Sequence, residues 1–301
     1  NKKTKITLKE KTMPEISVLL PVYNTPELYL RECIESILNQ SFADFELLVV
    51  NDASTDENVE KVVLSYADAR LIYEKNTVNL GISETRNRLV DKARGKYLAV
   101  MDHDDVSLPK RLEYEAAYLD SHPGVGVVSC QVLRFPRSAR PRHPENDKEI
   151  KLAFMRSCAI VHPACMIRKS VLTDNKIRYE KEFSPAEDYA LFARLLTKTK
   201  FHNLPEVLFR YRVHAGNTSK TQADKMERAT YAVQSLLKIE NPALYSEFML
   251  RAERVGRVRL FGFVPFVKSV SRGGKTRIYL FEKILILSIK STVKYSEKAT
   301  Q

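Results

Sequence analysis

The chain has 301 residues, with 49 Lys/Arg against 37 Asp/Glu and a formal net charge of +12. Hydrophobic residues make up 44% and charged residues 29%, a balance that excludes low-complexity and intrinsically disordered classes. From Arg251 to Gln301 there are 12 Lys/Arg and 3 Asp/Glu, a net of +9, so the main body is close to neutral. An enzyme acting on nucleic acid would spread basic charge over its catalytic body, and nucleic acid is therefore not an expected partner.

The first hundred residues alternate between two patterns. Ile16 to Tyr23 is an apolar run closed by Asn24-Thr25-Pro26, which predicts a buried strand and then a turn. Glu27 to Gln40 puts Leu30, Cys33, Ile34, Ile37 and Leu38 on one helical face. Phe45 to Val50 predicts a second buried strand, followed by the polar loop Asn51 to Asp56 with Ser54 or Thr55 as a helix cap. A helix over about 57–66, a short strand over 71–73, a helix over 81–93 and a strand over 96–101 complete the series. The last strand runs into Asp102-His103-Asp104-Asp105. Apolar strands alternating with helices predict an α/β fold with a mostly parallel sheet covered on both faces. Ligands of such sheets bind beyond the carboxyl ends of the strands, so Tyr23-Asn24, Asp52 and the 102–105 cluster are expected on one edge.

Further along, Val125 to Val132 predicts a strand and Arg134 to Pro144 a basic, proline-rich loop. A strand over 164–168, an amphipathic helix over 185–197 and a strand over 207–213 leading into His214 follow. Helices are expected from Ser219 to about Arg259. Cys33, Cys130, Cys158 and Cys165 form no C-x-x-C pair and no zinc pattern, which suits reduced thiols in a cytoplasmic protein. Asn1 to Lys11 lacks the apolar core of a signal peptide, and no stretch reaches the roughly 18 apolar residues of a membrane span.

The chemistry is carried by acids at strand ends. Asp102 and Asp104, at i and i+2, can hold a hard divalent cation through oxygen, with Asp105 as a third acid. Such a cation bridges phosphates and neutralises a diphosphate leaving group. Acidic turns after strands are also common without a metal. Asp52 can accept hydrogen bonds from a ribose or base edge, or simply cap its own turn. Tyr23 can stack on a base. Asp188 opens the 185–197 helix, where acids are favoured by the helix dipole and where a general base would meet an attacking hydroxyl. His214 can meet a metal or a diphosphate.

In this order, the segments ISVLLPVYN (16–24), SILNQSFADFELLVVNDASTD (36–56), NLGISETRN (79–87), KYLAVMDHDD (96–105) and Glu187-Asp188 resemble the inverting glycosyltransferases of family 2. HPACMIR (162–168) and YRVH (211–214) resemble its members of the bacterial surface-polysaccharide and lipopolysaccharide type. The resemblance covers roughly 15–219. It implies a GT-A, Rossmann-like nucleotide-sugar-binding domain with a mostly parallel central sheet, over 15–219. A basic tail (1–14) would precede it and a helical, basic, amphipathic extension (220–301) would follow. It implies a nucleoside-diphosphate donor, commonly a UDP-sugar, and Mn2+ or Mg2+. Pro21, Tyr23, Asp52 and Arg86 would contact the nucleotide. Asp102 and Asp104 would form the metal motif, with Asp104 the direct ligand; His214 would close over the diphosphate and metal, and Asp188 would be the base. The Q-x-x-R-W motif of processive synthases is absent, which implies transfer of one sugar per event to a hydroxyl of a glycan or lipid-linked acceptor.

Apolar clusters mixed with Lys and Arg over 251–301 read as amphipathic helices on an anionic membrane surface, giving a peripheral protein on the inner face of the cytoplasmic membrane. Two other classes compete. A sugar-phosphate nucleotidyltransferase would want a Gly-rich phosphate loop where Pro21-Val22-Tyr23-Asn24 stands. A non-enzymatic nucleic-acid binder leaves the ordered acids unexplained.

Overall fold

Strands Ile16–Val22 (β1) and Phe45–Asn51 (β2) are buried at all seven positions each, as central strands covered on both faces must be. The structure is a computed structural model. It describes residues 13–136 and 139–251, and the backbone of 254–260, 264–272, 275–280 and 284–290. Helix Glu27–Leu38 (α1) buries Leu30, Cys33, Ile34 and Ile37, the face its apolar spacing predicts. Helix Asn58–Leu64 (α2), strand Leu71–Lys75 (β3), helix Ile82–Lys92 (α3) and strand Tyr97–Val100 (β4) follow. Ser54 does not cap α2; its hydroxyl accepts the amide of Asn24 instead.

The second half is less regular. It runs through Val106–Ser107 (β5), Arg111–Ser121 (α4), Val125–Phe135 (β6), Asp147–Phe154 (α5), Met166–Arg168 (β7) and Lys169–Asn175 (α6). Glu187–Leu195 (α7), Lys200–Arg212 (β8), Thr218–Thr221 (α8) and Ala223–Glu240 (α9) complete it. One eight-stranded sheet has the order β3-β2-β1-β4-β7-β6-β8-β5. β3, β2, β1 and β4 pair in parallel, and so do β6 and β8. β7 is antiparallel to both β4 and β6, and β5 is antiparallel to β8. The six parallel strands therefore point one way, with β7 reversed inside the sheet and β5 reversed at its edge.

A buried polar knot ties the amino-terminal ends of β1, β2 and β4. Glu46 accepts the Ser17 hydroxyl at 2.7 Å, the Arg94 amide at 2.8 Å and the Arg94 Nε at 2.8 Å. The Ser17 hydroxyl in turn accepts the Gly95 amide at 2.8 Å. Gly95 has no room for a side chain: a Cβ there would lie 2.5 Å from the Ser17 nitrogen and 2.7 Å from the Ile16 carbonyl carbon.

The chain divides into two units, one ending at Asn241 and one starting at Pro242. The division falls beyond the expected position after 219 because α9 packs on the first unit, burying Ala229, Val233 and Leu237 and pairing Glu240 with Arg194 at 2.7 Å. In the second unit, helix Pro242–Arg251 (α10) precedes four antiparallel strands: Arg254–Leu260 (β9), Val264–Arg272 (β10), Lys275–Leu280 (β11) and Ile284–Lys290 (β12). The expectation of amphipathic helices beyond 251 is thus corrected over these strands. The physical signal is in the sequence: Arg257-Val258-Arg259-Leu260 alternates with period two, and Gly273-Gly274 is a hairpin signal.

Candidate active site

Six strands end along one edge of the sheet, and the predicted site residues lie along it. Val22 ends β1, Asn51 ends β2, Val100 ends β4 and Arg212 ends β8. Pro21 is buried within β1, in register with Val50. Tyr23 is 44% exposed, leaving its ring available to a ligand.

Asp52 is buried and already occupied. Its Oδ1 accepts the Leu80 amide at 2.8 Å and the Asn76 side-chain amide at 2.7 Å, while Oδ2 accepts the Gly81 amide at 2.9 Å. It therefore fixes the turn into α3, where Gly81 takes φ of 85°, a conformation that favours glycine. Asn24, at φ of 46°, accepts the Thr55 and Asp56 amides and joins the β1 and β2 loops.

Arg86 projects from α3 and is buried. Its Nη2 donates to Asp102 Oδ1 at 2.9 Å and its Nη1 to Glu187 Oε1 at 2.7 Å, with the guanidinium over the Tyr179 ring at 5.6 Å. Burial opposes its charge, but Asp102 and Glu187 hold its pKa above the ordinary arginine value. One guanidinium thus links the end of β4 to the start of α7. Glu187 is the residue that sequence reasoning underweighted. The adjacent acids Glu187-Asp188 were visible, but nothing in their spacing says that Glu187 turns inward to Arg86.

Asp188 follows, with its Oδ1 accepting the Tyr189 amide at 2.6 Å. Burial first, and then the Glu187 charge, push its carboxyl up to about 7 against the pull of Arg86. A carboxylate poised near neutrality is suited to taking a proton. Behind it, His162 Nε2 lies 2.9 Å from the Tyr179 hydroxyl. Burial, with Arg86 and Arg111 nearby, holds His162 well below the usual imidazole range and so neutral.

The acids after β4 meet the end of β8. Asp105 is buried, and its Oδ1 accepts the Arg212 amide at 2.7 Å, while its Oδ2 is buried without a partner. Burial, then Asp104 and Asp102, push its carboxyl well above the carboxylate range. Arg212 Nε donates to the Asp104 carbonyl at 2.6 Å, its Nη2 pairs with Glu32, and its guanidinium lies 4.2 Å from the Tyr29 ring centre. His214 Nε2 sits 2.7 Å from Asp104 Oδ2. His103, in the middle of the motif, has a buried Nδ1 without a partner.

This crowding fits a divalent cation. Burial, with Asp104 and Asp102 beside it, drives Asp105 toward its neutral form, and Asp104 with His214 offers a carboxylate and an imidazole at hydrogen-bond distance. Among the described residues no three His, Cys, Asp or Glu side chains form a closed metal-binding group. Mg2+-type sites need none, because one or two carboxylates share the ion with substrate phosphates. The structure joins Arg86 to Asp102 and Glu187, and His214 to Asp104, while Asp188 follows Glu187 at the start of α7. Asp52 and Tyr23 lie on the same sheet edge in the β1 and β2 loops, and Pro21 is buried just before them.

Comparison with known proteins identifies the family and the fold. The family described as "Glycosyl transferase family 2" matches residues 17–175. An uncharacterized glycosyltransferase of Methanocaldococcus jannaschii is 33% identical over 230 residues, covering 74% of this chain and 79% of that protein. The O-antigen biosynthesis glycosyltransferase WbnJ of Escherichia coli is 30% identical over 232 residues, covering 74% and 89%. The crystal structure of S. aureus TarS 1–349 in complex with UDP-GlcNAc superposes with a TM-score of 0.65 at 23% identity, covering 79% and 72%. At that identity the likeness speaks for the fold, which is GT-A.

Proposed function

The chain belongs to glycosyl transferase family 2, and we propose that it moves a single hexose or N-acetylhexosamine from a UDP-sugar to a hydroxyl of a glycan or lipid-linked acceptor. Its enzyme class is glycosyltransferase, and the relative WbnJ acts in O-antigen biosynthesis, which supports a role in polysaccharide synthesis. The observation that carries the finer reading is the chain Asp102–Arg86–Glu187, which sets the base candidate Asp188 one residue from a guanidinium bonded to the cation motif.

Tyr23 stacks on the base, and Asp52 and Pro21 shape the pocket beneath it. Asp104, Asp102 and His214 would hold Mn2+ or Mg2+, which would supply positive charge to the departing diphosphate. Asp188 accepts the acceptor's hydroxyl proton as that oxygen attacks the anomeric carbon from the face opposite the diphosphate. A single displacement inverts the centre, so an α-linked donor gives a β-linked product. Arg86, expected from the resemblance to contact the nucleotide, has both terminal nitrogens bonded to acids and so also positions the groups on either side.

Asp188→Asn retains the side chain's size and removes the base. It is expected to keep UDP binding and to lower turnover by about 100-fold or more, as loss of a general base does. Turnover near that of the parent, in a folded variant, would overturn the assignment. The parent protein is expected to hydrolyse UDP-sugars slowly with manganese present and not after chelation.

The net +9 over 251–301 supports peripheral contact with an anionic membrane from the cytoplasmic side. Among the described residues no helix is long and apolar enough to cross a membrane. Sedimentation with acidic vesicles should fall sharply for a chain ending near Arg257. Equal sedimentation of the two forms would remove the membrane role.

A further inference from the structure

The segment after β8 carries His214, yet it has little regular structure of its own: α8, its first helix, is four residues long. What shapes the segment is one side chain. Asn217 is buried, and its Oδ1 accepts the His214 amide at 2.7 Å. Its Nδ2 donates to the Arg212 carbonyl at 3.2 Å and reaches Asp104 Oδ2 at 3.5 Å. Its own carbonyl accepts the Lys220 amide at 2.8 Å, which starts the next turn. The side-chain amide thus replaces the ladder partners that β8 gives up at Arg212, in the way Asn side chains mimic a backbone turn. From the other side, the Lys220 ammonium donates to the His214 carbonyl at 2.8 Å.

We propose that Asn217 is a positioning residue of the transferase: by closing the 212–217 turn it sets the His214 imidazole on Asp104, so that the cation and diphosphate meet both side chains already aligned. This rests on the reading of His214 given above. The alternative is that Asn217 only stabilises the fold. The two differ in what a second substitution does. A residue that acts through His214 has nothing left to contribute once the imidazole is gone, whereas an independent structural contribution adds to any other.

The test is a double-mutant cycle on the full chain with Asn217→Ala and His214→Ala, read as Mn2+-dependent binding of UDP by calorimetry. Truncating Asn217 removes the bonds it makes to the His214 amide and the Arg212 carbonyl. It should weaken Mn2+-dependent UDP binding by about tenfold, the size of one lost buried hydrogen bond. Amide exchange at His214 should speed up in the same variant. His214→Ala should weaken binding by a similar or larger factor, and the double variant should be no weaker than His214→Ala alone. Losses that multiply in the double variant, or unchanged binding in Asn217→Ala, would overturn the positioning role while leaving the site intact. Unchanged binding in His214→Ala would instead overturn the reading of His214 itself, and this inference with it. Melting temperatures of all three variants report whether any has lost its fold.

Discussion

The two halves of the sheet were built by different rules. β3, β2, β1 and β4 are parallel strands joined by helices: β1 pairs with β2 and β2 with β3, and the chain then crosses back to lay β4 beside β1. The β7-β6-β8-β5 half mixes directions, and its longest pairing, β6 with β8, spans register shifts near Val125, Cys130 and Gln131. The first half holds the residues expected around the nucleotide, and the second brings Asp188 and His214 to it. Local pattern specifies the first half; the second depends on contacts between residues far apart in the chain.

Arg111 shows how the halves are joined. It is fully buried, and its Nη2 donates to the carbonyls of Val100 on β4 at 2.9 Å and Cys165, just before β7, at 3.0 Å. Arg86 makes the equivalent connection at the site, from α3 to α7. The sharpest way to break the comparison is therefore Arg86→Met. It strands Glu187 as a buried unpaired acid and takes the partner from the half-buried Asp102, at a cost of about 3–5 kcal/mol. Chemical denaturation should show this loss together with a collapse of turnover.

A smaller effect separates the halves themselves. Gly95→Ala in the parallel half drives a Cβ into the backbone of Ile16 and Ser17, which cannot move without breaking the β1 register. Gly126→Ala in the mixed half has side-chain atoms of Val171 and Thr199 nearest, at 2.4 to 3.0 Å, rather than backbone. Overpacking typically costs 1–3 kcal/mol, so Gly95→Ala should sit near about 3 and Gly126→Ala near about 1. Equal melting temperatures for the two variants would erase the distinction.

The smallest expected effect is in pH dependence. Asp188 works as a base only when deprotonated, so kcat/KM should rise with pH through about 7. Glu187→Gln removes a neighbouring negative charge and lowers that pKa, so the acidic limb of the profile should move to lower pH. A limb that stays in place would separate Asp188 from its neighbour.

The same contrast explains what was legible in the sequence. Runs such as Ile16 to Val22 and Phe45 to Asn51 declare themselves, since a strand buried on both faces has little choice of residue. The carboxylates at 52, 102 and 104 were legible because they stand where those runs stop. α4, α5 and α6 were not anticipated. Their faces are mixed: α4 buries Arg111 and Glu115 among its apolar residues, a pair whose burial only the fold reveals. Burial pushes Glu115 up to about 8 despite Arg111 beside it. Asn217 was equally hidden, because Asn in Gly216-Asn217-Thr218 reads as an ordinary loop residue until its partners at 212 and 214 are seen. Beyond 251 the composition suggests helix, and the period-two alternation of Arg257 to Leu260 is the better guide.

The knot of Ser17, Glu46, Arg94 and Gly95 lies at the pole of the sheet opposite to the reaction. Rigidity is thus invested at one end and invention left to the other. Loops on the catalytic rim can be lengthened, shortened or exchanged without touching the anchor beneath them. A scaffold zoned in this way can change the sugar it delivers or the alcohol that receives it by rewriting its rim alone.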